Sequence, residues 1–152
     1  MKSIPYKIEK FKESHINKIF ESDDAFTNYW SKPSFSLYCS KKNRSFSFVA
    51  TLEDDTVIGY VMAVYIVDFV QVDFIAVRSN YRCKGIAKML MNRIIDCSIK
   101  ERAQSIELEV STNNEDAINL YSRFNFLKSG LRKSYYKDGS DALLLTRGID
   151  NV

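Results

Sequence analysis

The feature that most constrains this chain is a change of hydrophobic period at Val77. Upstream lie two runs rich in β-branched residues, Val57–Val67 and Val70–Val77, joined at Asp68-Phe69. Such runs read as neighbouring strands of an antiparallel meander. Downstream, Ile86, Met89, Leu90 and Ile94 recur at helical spacing, which predicts an amphipathic helix from about Lys84 to Arg102. Two long strands and one apolar helix face are buried together when the helix packs on a sheet.

The remaining pattern extends this sheet on both sides. Ile4–Lys10 alternates as a first strand, and Ser14 is placed to cap a helix from about His15 to Asp24, with Ile16, Ile19 and Phe20 on one face. A second helix starts at Ser31, with Pro33 in its first turn, and runs to about Ser40. Phe46–Leu52 alternates as a strand, and Glu53-Asp54-Asp55-Thr56 is a turn. After the long helix, Ser105–Val110 is a strand. Asn113-Asn114-Glu115 then opens a helix whose stripe is Ala117, Leu120, Tyr121 and Phe124. Phe126–Tyr135 and Ala142–Arg147 close the chain as strands around the turn Lys137-Asp138-Gly139-Ser140. The order β-α-α-β-β-β-α-β-α-β-β predicts an α/β (α+β) mixed sheet with helices on both faces. No repeat or Pro/Gly-rich linker divides it, so residues 1–152 are expected to form a single domain.

Composition narrows the function. With 152 residues, 45% apolar and 27% charged, the chain has the balance of a globular protein. No apolar run approaches the roughly 18 residues of a membrane span, and Met1–Tyr6 lacks the apolar core of a signal peptide. A cytoplasmic protein with no membrane partner is expected. Cys39, Cys83 and Cys97 are odd in number and far apart, and His15 is the only histidine. Neither a disulfide framework nor a zinc or Cys–His centre suggests itself, so metal-free chemistry is favoured. The net charge of +3 is mild, but Arg78, Arg82, Lys84 and Lys88 fall in one stretch without Asp or Glu. That is a local anion-binding feature. One short basic loop, without an aromatic ladder or a helix-turn-helix pattern, does not make a nucleic-acid module.

The basic stretch is also where the strand ends and the long helix begins. Helix N-termini present unpaired N–H groups and a positive dipole end to anions. Small residues at Gly85 and Ala87 would let a pyrophosphate approach the backbone. The bland alternative is an ordinary helix start with solvated lysines. Neither G-x-x-x-x-G-K-S/T nor G-x-G-x-x-G is present. The run Arg82-x-x-Gly85-x-Ala87 does resemble the Q/R-x-x-G-x-G/A pyrophosphate loop of the GNAT superfamily of acetyltransferases, with alanine in place of the commoner last glycine. The resemblance implies the GNAT fold and acetyl-CoA as co-substrate. Main-chain groups of Ile75, Ala76 and Val77 would hold the acetyl and pantetheine end, and Arg82, Cys83, Lys84, Gly85, Ile86, Ala87 and Lys88 would wrap the pyrophosphate.

The segment Leu108–Tyr121 is similar to the L-E-V-x-x-x-N-x-x-A-I-x-L-Y of RimI-type enzymes, the bacterial ribosomal-protein-alanine N-acetyltransferases. Arg132-Lys133-Ser134-Tyr135-Tyr136, Asp141-Ala142 and Phe26-x-x-x-Trp30-Ser31-x-x-x-Phe35 resemble further elements of that group. Two departures are Asn125 where the group has glycine, and Phe74 where the strand before the loop often carries asparagine. Asparagine suits a left-handed helix C-cap, so the turn is expected to survive.

Acetyl transfer to an amine requires a base for the ammonium, a donor for the oxyanion and an acid for the leaving thiolate. The resemblance implies Glu109 as base, Tyr121 as acid, Asn114 on the cofactor, and a backbone N–H near Ile75 or Val77 for the oxyanion at a splayed or bulged strand end. Trp30, Tyr135 and Tyr136 would close over a substrate peptide, and a RimI-like role implies an alanine-starting small-subunit ribosomal protein as partner. From spacing alone, each residue also has a structural reading. Glu107 and Glu109 alternate with Ile106, Leu108 and Val110 and fit a solvated strand face. Tyr121 lies on a packing stripe, Asn114 fits a helix N-cap, and the twin tyrosines fit an ordinary strand. Acetylation of a small-molecule amine and a non-catalytic acyl-CoA-binding module remain as alternatives.

Overall fold

The computed structural model describes residues 4–21, 24–28, 30–40 and 44–149. Its strands are β1 (Lys7–Lys10), β2 (Phe48–Thr51), β3 (Val57–Ile66), β4 (Phe69–Val77), β5 (Ser105–Ser111), β6 (Leu127–Arg132) and β7 (Ala142–Gly148). Its α-helices are α1 (Ile16–Ile19), α2 (Asp24–Thr27), α3 (Lys32–Ser36), α4 (Ile86–Lys100) and α5 (Glu115–Arg123). One seven-stranded sheet has the order β1-β2-β3-β4-β5-β7-β6. Neighbours are antiparallel except β4 and β5, which run parallel. The expected mixed sheet is therefore present.

Two apolar layers cover the sheet. Leu90, Ile94, Ile106, Leu108 and Val110 belong to the layer under α4, with Tyr121 and Phe126 from the α5 side. Ile16, Ile19, Phe26 and Phe35 from the N-terminal helices pack on Val57, Tyr60 and Met62. The first seven residues of β3 are buried. A strand covered on both faces reads as a continuous apolar run, as Val57–Val64 does. Each large side chain fully buried here contributes about 1.5–3 kcal/mol.

Two expected elements differ in detail. Ser14 does not cap the first helix but lies inside a 3-10 turn, Glu13–His15. His15 shapes that turn, because its Nδ1 accepts the Lys12 N–H at 3.0 Å while its Nε2 meets Glu9 Oε1 at 3.1 Å. The following α-helix stops at Ile19, and a separate helix begins at Asp24; the expected continuation through Ser22 and Asp23 lies outside the described residues. The strand expected to reach Tyr135 ends at Arg132, because Ser134 is left-handed (φ 51°) and its N–H bonds Asp141 Oδ1 at 2.8 Å. Tyr135 and Tyr136 thus lie in the β6–β7 connection. By contrast, Ser31 does cap α3, its Oγ accepting the Ser34 N–H, and Asn125 adopts the expected left-handed conformation (φ 63°) after α5.

Candidate active site

The site begins where the sheet opens. β4 and β5 pair from Phe69↔Ser105 to Val72↔Leu108 and then separate. Beyond that point β4 stays with β3, and Glu109–Ser111 stay with β7. The result is a wedge with Asp73–Val77 on one wall and Glu109–Ser111 on the other. Ile75, Ala76 and Val77 lie on the first wall.

A bulge marks the apex. Met62 pairs with Phe74 and Ala63 with Val72, so Asp73 is the extra residue. One extra residue reverses the facing of everything after it. Val70 and Val72 face α4 before the bulge, and Ile75 and Val77 do so after it, while Phe74 and Ala76 pack on the N-terminal helices. The sequence led us to expect a splayed or bulged strand end near Ile75 or Val77; the bulge sits two residues before Ile75.

At the far end of β4 lies the basic loop. Cys83 (φ 60°) and Gly85 (φ 82°) are both left-handed, and Gly85 precedes Ile86 as the N-cap of α4. Ile86, Ala87 and Lys88 lie in the first helical turn, whose N–H groups have no intrahelical acceptor. Alternating backbone of this kind forms an anion-binding concavity. Nothing lies within 4 Å of a Cβ placed on Gly85, so the approach is open. Arg82, Lys84 and Lys88 are exposed around it. These residues fit a pyrophosphate. Arg78 corrects the sequence reading: its guanidinium donates to the Val57 and Lys18 carbonyls and covers the Phe26 ring, so it braces the fold. Gly59 holds the loop close to the sheet, because a Cβ there would meet Ile86 Cγ2 at 3.1 Å and the Ala76 carbonyl at 3.2 Å.

The side chains expected to react lie around this wedge. Ile106, Leu108 and Val110 are buried and Glu107 and Glu109 half-buried on the opposite face, as alternation predicts. Glu109 Oε1 is ion-paired with Arg132 Nε at 3.1 Å. Tyr121 is buried edge-on against Phe126, with ring centroids 5.7 Å apart. Burial pushes its hydroxyl well above the ordinary tyrosine value, helped by the nearby Tyr136. Tyr136 is raised in turn by burial and then by Glu109, so Tyr136 lies within electrostatic reach of both Tyr121 and Glu109. Tyr135 is half exposed and meets Tyr136 edge-on at 5.2 Å. Trp30 stacks on Tyr38 at 5.8 Å and leans on Phe74. Asn114 caps α5 through Oδ1, which accepts the Ala117 N–H at 3.2 Å, so its oxygen is committed to the helix.

Sequence reasoning missed Asp73 and Tyr38, and gave Arg132 no role. Tyr38 Oη donates to Asp73 Oδ2 at 2.6 Å. The available signal was one acidic residue inside the apolar strand Val70–Val77.

The acetyltransferase (GNAT) family model matches residues 15–126. A candidate ribosomal protein bS18-alanine N-acetyltransferase of Bacillus subtilis is 29% identical over 132 residues, covering 86% of this chain and 87% of that protein. An N-alpha-acetyltransferase of Saccharolobus solfataricus is 34% identical over 121 residues, covering 71% and 72%. The crystal structure of the Escherichia coli ribosomal-protein-S18-alanine N-acetyltransferase superposes with a TM-score of 0.84 at 24% identity, covering 96% and 95%, and shares the fold. The opened sheet, its anion-binding loop and these matches agree: the chain belongs to the GNAT acetyltransferase family and is an acetyl-CoA-dependent N-acetyltransferase.

Proposed function

We propose that the substrate is the α-amine of a protein N-terminus, with an alanine-starting small-subunit ribosomal protein as the leading choice. The observation that carries this reading is a series of side chains across the wedge apex. Trp30 stacks on Tyr38, Tyr38 holds Asp73, and Glu109 lies within electrostatic reach of both Asp73 and Tyr136. The aromatic groups at its two ends suit the walls of a channel for a peptide backbone. The names of the relatives, N-alpha-acetyltransferase and ribosomal protein alanine N-acetyltransferase, support the same substrate class.

In this reading the whole chain acts as one catalytic domain in the cytosol. The thioester of acetyl-CoA lies along Ile75–Val77 and its pyrophosphate on the Arg82–Lys88 loop. Glu109 removes a proton from the substrate ammonium, directly or through water. The amine nitrogen then attacks the thioester carbonyl carbon, and main-chain N–H groups near Ile75 or Val77 stabilise the oxyanion. The carbon–sulfur bond breaks as the carbonyl re-forms, Tyr121 donates its proton to the departing thiolate, and the second proton of the attacking nitrogen leaves to restore the tyrosine. A tyrosine whose hydroxyl is pushed upward by burial stays protonated until that moment. Arg132, fixed on one oxygen of Glu109, orients the carboxylate.

The test is thiol release from acetyl-CoA with short peptides differing in their first residue, beside common small amines. Turnover confined to peptides with a free small first residue, alanine best, is the expected result. Turnover of small amines alone overturns the protein substrate. Tight acetyl-CoA binding with no product across the panel overturns catalysis itself.

A further inference from the structure

The last β4–β5 pair is Val72↔Leu108, and the next residue on each strand is a carboxylate, Asp73 and Glu109. Val72 and Leu108 both point into the layer under α4. Their successors therefore both turn to the opposite face, toward the N-terminal helices. The bulge keeps Asp73 on that side together with Phe74, against which Trp30 rests. Two carboxylates thus face one another at the apex of the wedge, beside the wall expected to hold the thioester.

Their partners differ. Glu109 is ion-paired with Arg132 at 3.1 Å. Asp73 has no Lys or Arg within ion-pair distance among the described residues, and its donor is the neutral hydroxyl of Tyr38. That hydroxyl is firmly protonated, pushed far up by burial and then by Asp73 itself. Asp73 is solvent-accessible, yet the protein around it, and then the charge of Glu109, push its carboxyl upward, while the Tyr38 hydrogen bond opposes them. A carboxylate next to another carboxylate, with no cation of its own, is stabilised by an incoming cation. The substrate of this reaction arrives as one.

We propose that Asp73, held at the β4 bulge by the Tyr38 hydroxyl, is the anchor that receives the substrate ammonium and presents it to Glu109. Asp73 accepts a hydrogen bond from the ammonium and keeps no proton from it. Glu109 takes the proton that must leave, and the freed amine sits beside the thioester wall. Division of labour explains how Glu109 stays bound to Arg132 and still serves as base. The inference rests on the amine entering from the Trp30 side, and holds for a peptide or a small amine alike.

The test compares Asp73→Asn and Asp73→Glu with the wild-type enzyme, using the best amine from the panel and its desamino analogue. In Asp73→Asn, KM for the amine should rise about tenfold, the scale of one charge-assisted hydrogen bond, with KM for acetyl-CoA unchanged. Binding of the desamino analogue, measured as inhibition, should stay within twofold. Asp73→Glu should recover part of the loss, and Tyr38→Phe should show a smaller rise. Equal weakening of the amine and its desamino analogue would mean that Asp73 only shapes the channel. An unchanged KM for the amine would remove it from binding. If wild-type enzyme acetylates no peptide, the protein-substrate reading fails separately, and the same comparison on the small amine still decides the role of Asp73.

Discussion

At the scale of single residues, the site is a division between groups that are committed and groups that are available. Arg78 is spent on backbone carbonyls, and Asn114 has its side-chain oxygen on a helix cap. Glu109 has one oxygen on Arg132, and its other oxygen has no partner among the described residues. Glu109→Gln keeps the size of the side chain and removes the base. Turnover should fall by about a hundredfold or more, within the range of general-base catalysis, while acetyl-CoA affinity stays within twofold by calorimetry. Tyr121→Phe removes only the hydroxyl from a buried ring. The chemical step, isolated in a single-turnover experiment, should slow by about ten- to a hundredfold. Unchanged rates would return either residue to a structural role.

At the scale of elements, the distance between α4 and the sheet decides where the anion-binding loop stands. Gly59 on β3 leaves the space that Ile86 and Leu90 occupy. Gly59→Ala should cost about 1–3 kcal/mol by overpacking, read from the urea midpoint, and should weaken acetyl-CoA binding as the first turn of α4 moves outward. Gly148→Ala is the control, because a Cβ there meets nothing within 4 Å, and it should leave both values unchanged. A weakened urea midpoint with unaltered cofactor affinity would uncouple the packing of α4 from the loop. The β4 bulge is the second decisive element. It turns Phe74 toward the N-terminal helices, which places the Trp30–Tyr38 stack over the site.

At the scale of the whole molecule, the burial of tyrosines on both sides of the sheet links stability to alkaline pH. Tyr38, Tyr60 and Tyr121 are all raised by burial, and the Tyr60 hydroxyl donates to the Phe26 carbonyl. In the unfolded chain these phenols titrate near pH ~10. Above that, the unfolded state loses protons that the folded state retains, so unfolding becomes easier as pH rises. Their contribution is fully present below about pH 10 and is lost above it. In a combined titration, some of the nine tyrosines should ionise, by absorbance, only together with the loss of circular dichroism. Ionisation of all nine with the fold intact would refute the link.

The sequence by itself determined the order of elements, the mixed sheet and the basic loop that opens the long helix, because period and turn chemistry are local. Ile86, Leu90 and Ile94 mark their helix face within one segment, and Gly85 marks its left-handed cap by lacking a Cβ. It also put Glu109 and Leu108 on opposite faces, since strand alternation needs no partner. The start of the first helix and the end of β6 were set elsewhere, by the His15–Glu9 contact and by Asp141 gripping Ser134. Asp73 was legible only as an odd acid in an apolar strand. Its position at a bulge, its bond to Tyr38 and its place opposite Glu109 arise from three segments meeting. A bulge is a mismatch between two strands, so neither strand records it alone. Tertiary packing decided which side chains share the apex, because proximity across the sheet depends on register and on where parallel pairing stops.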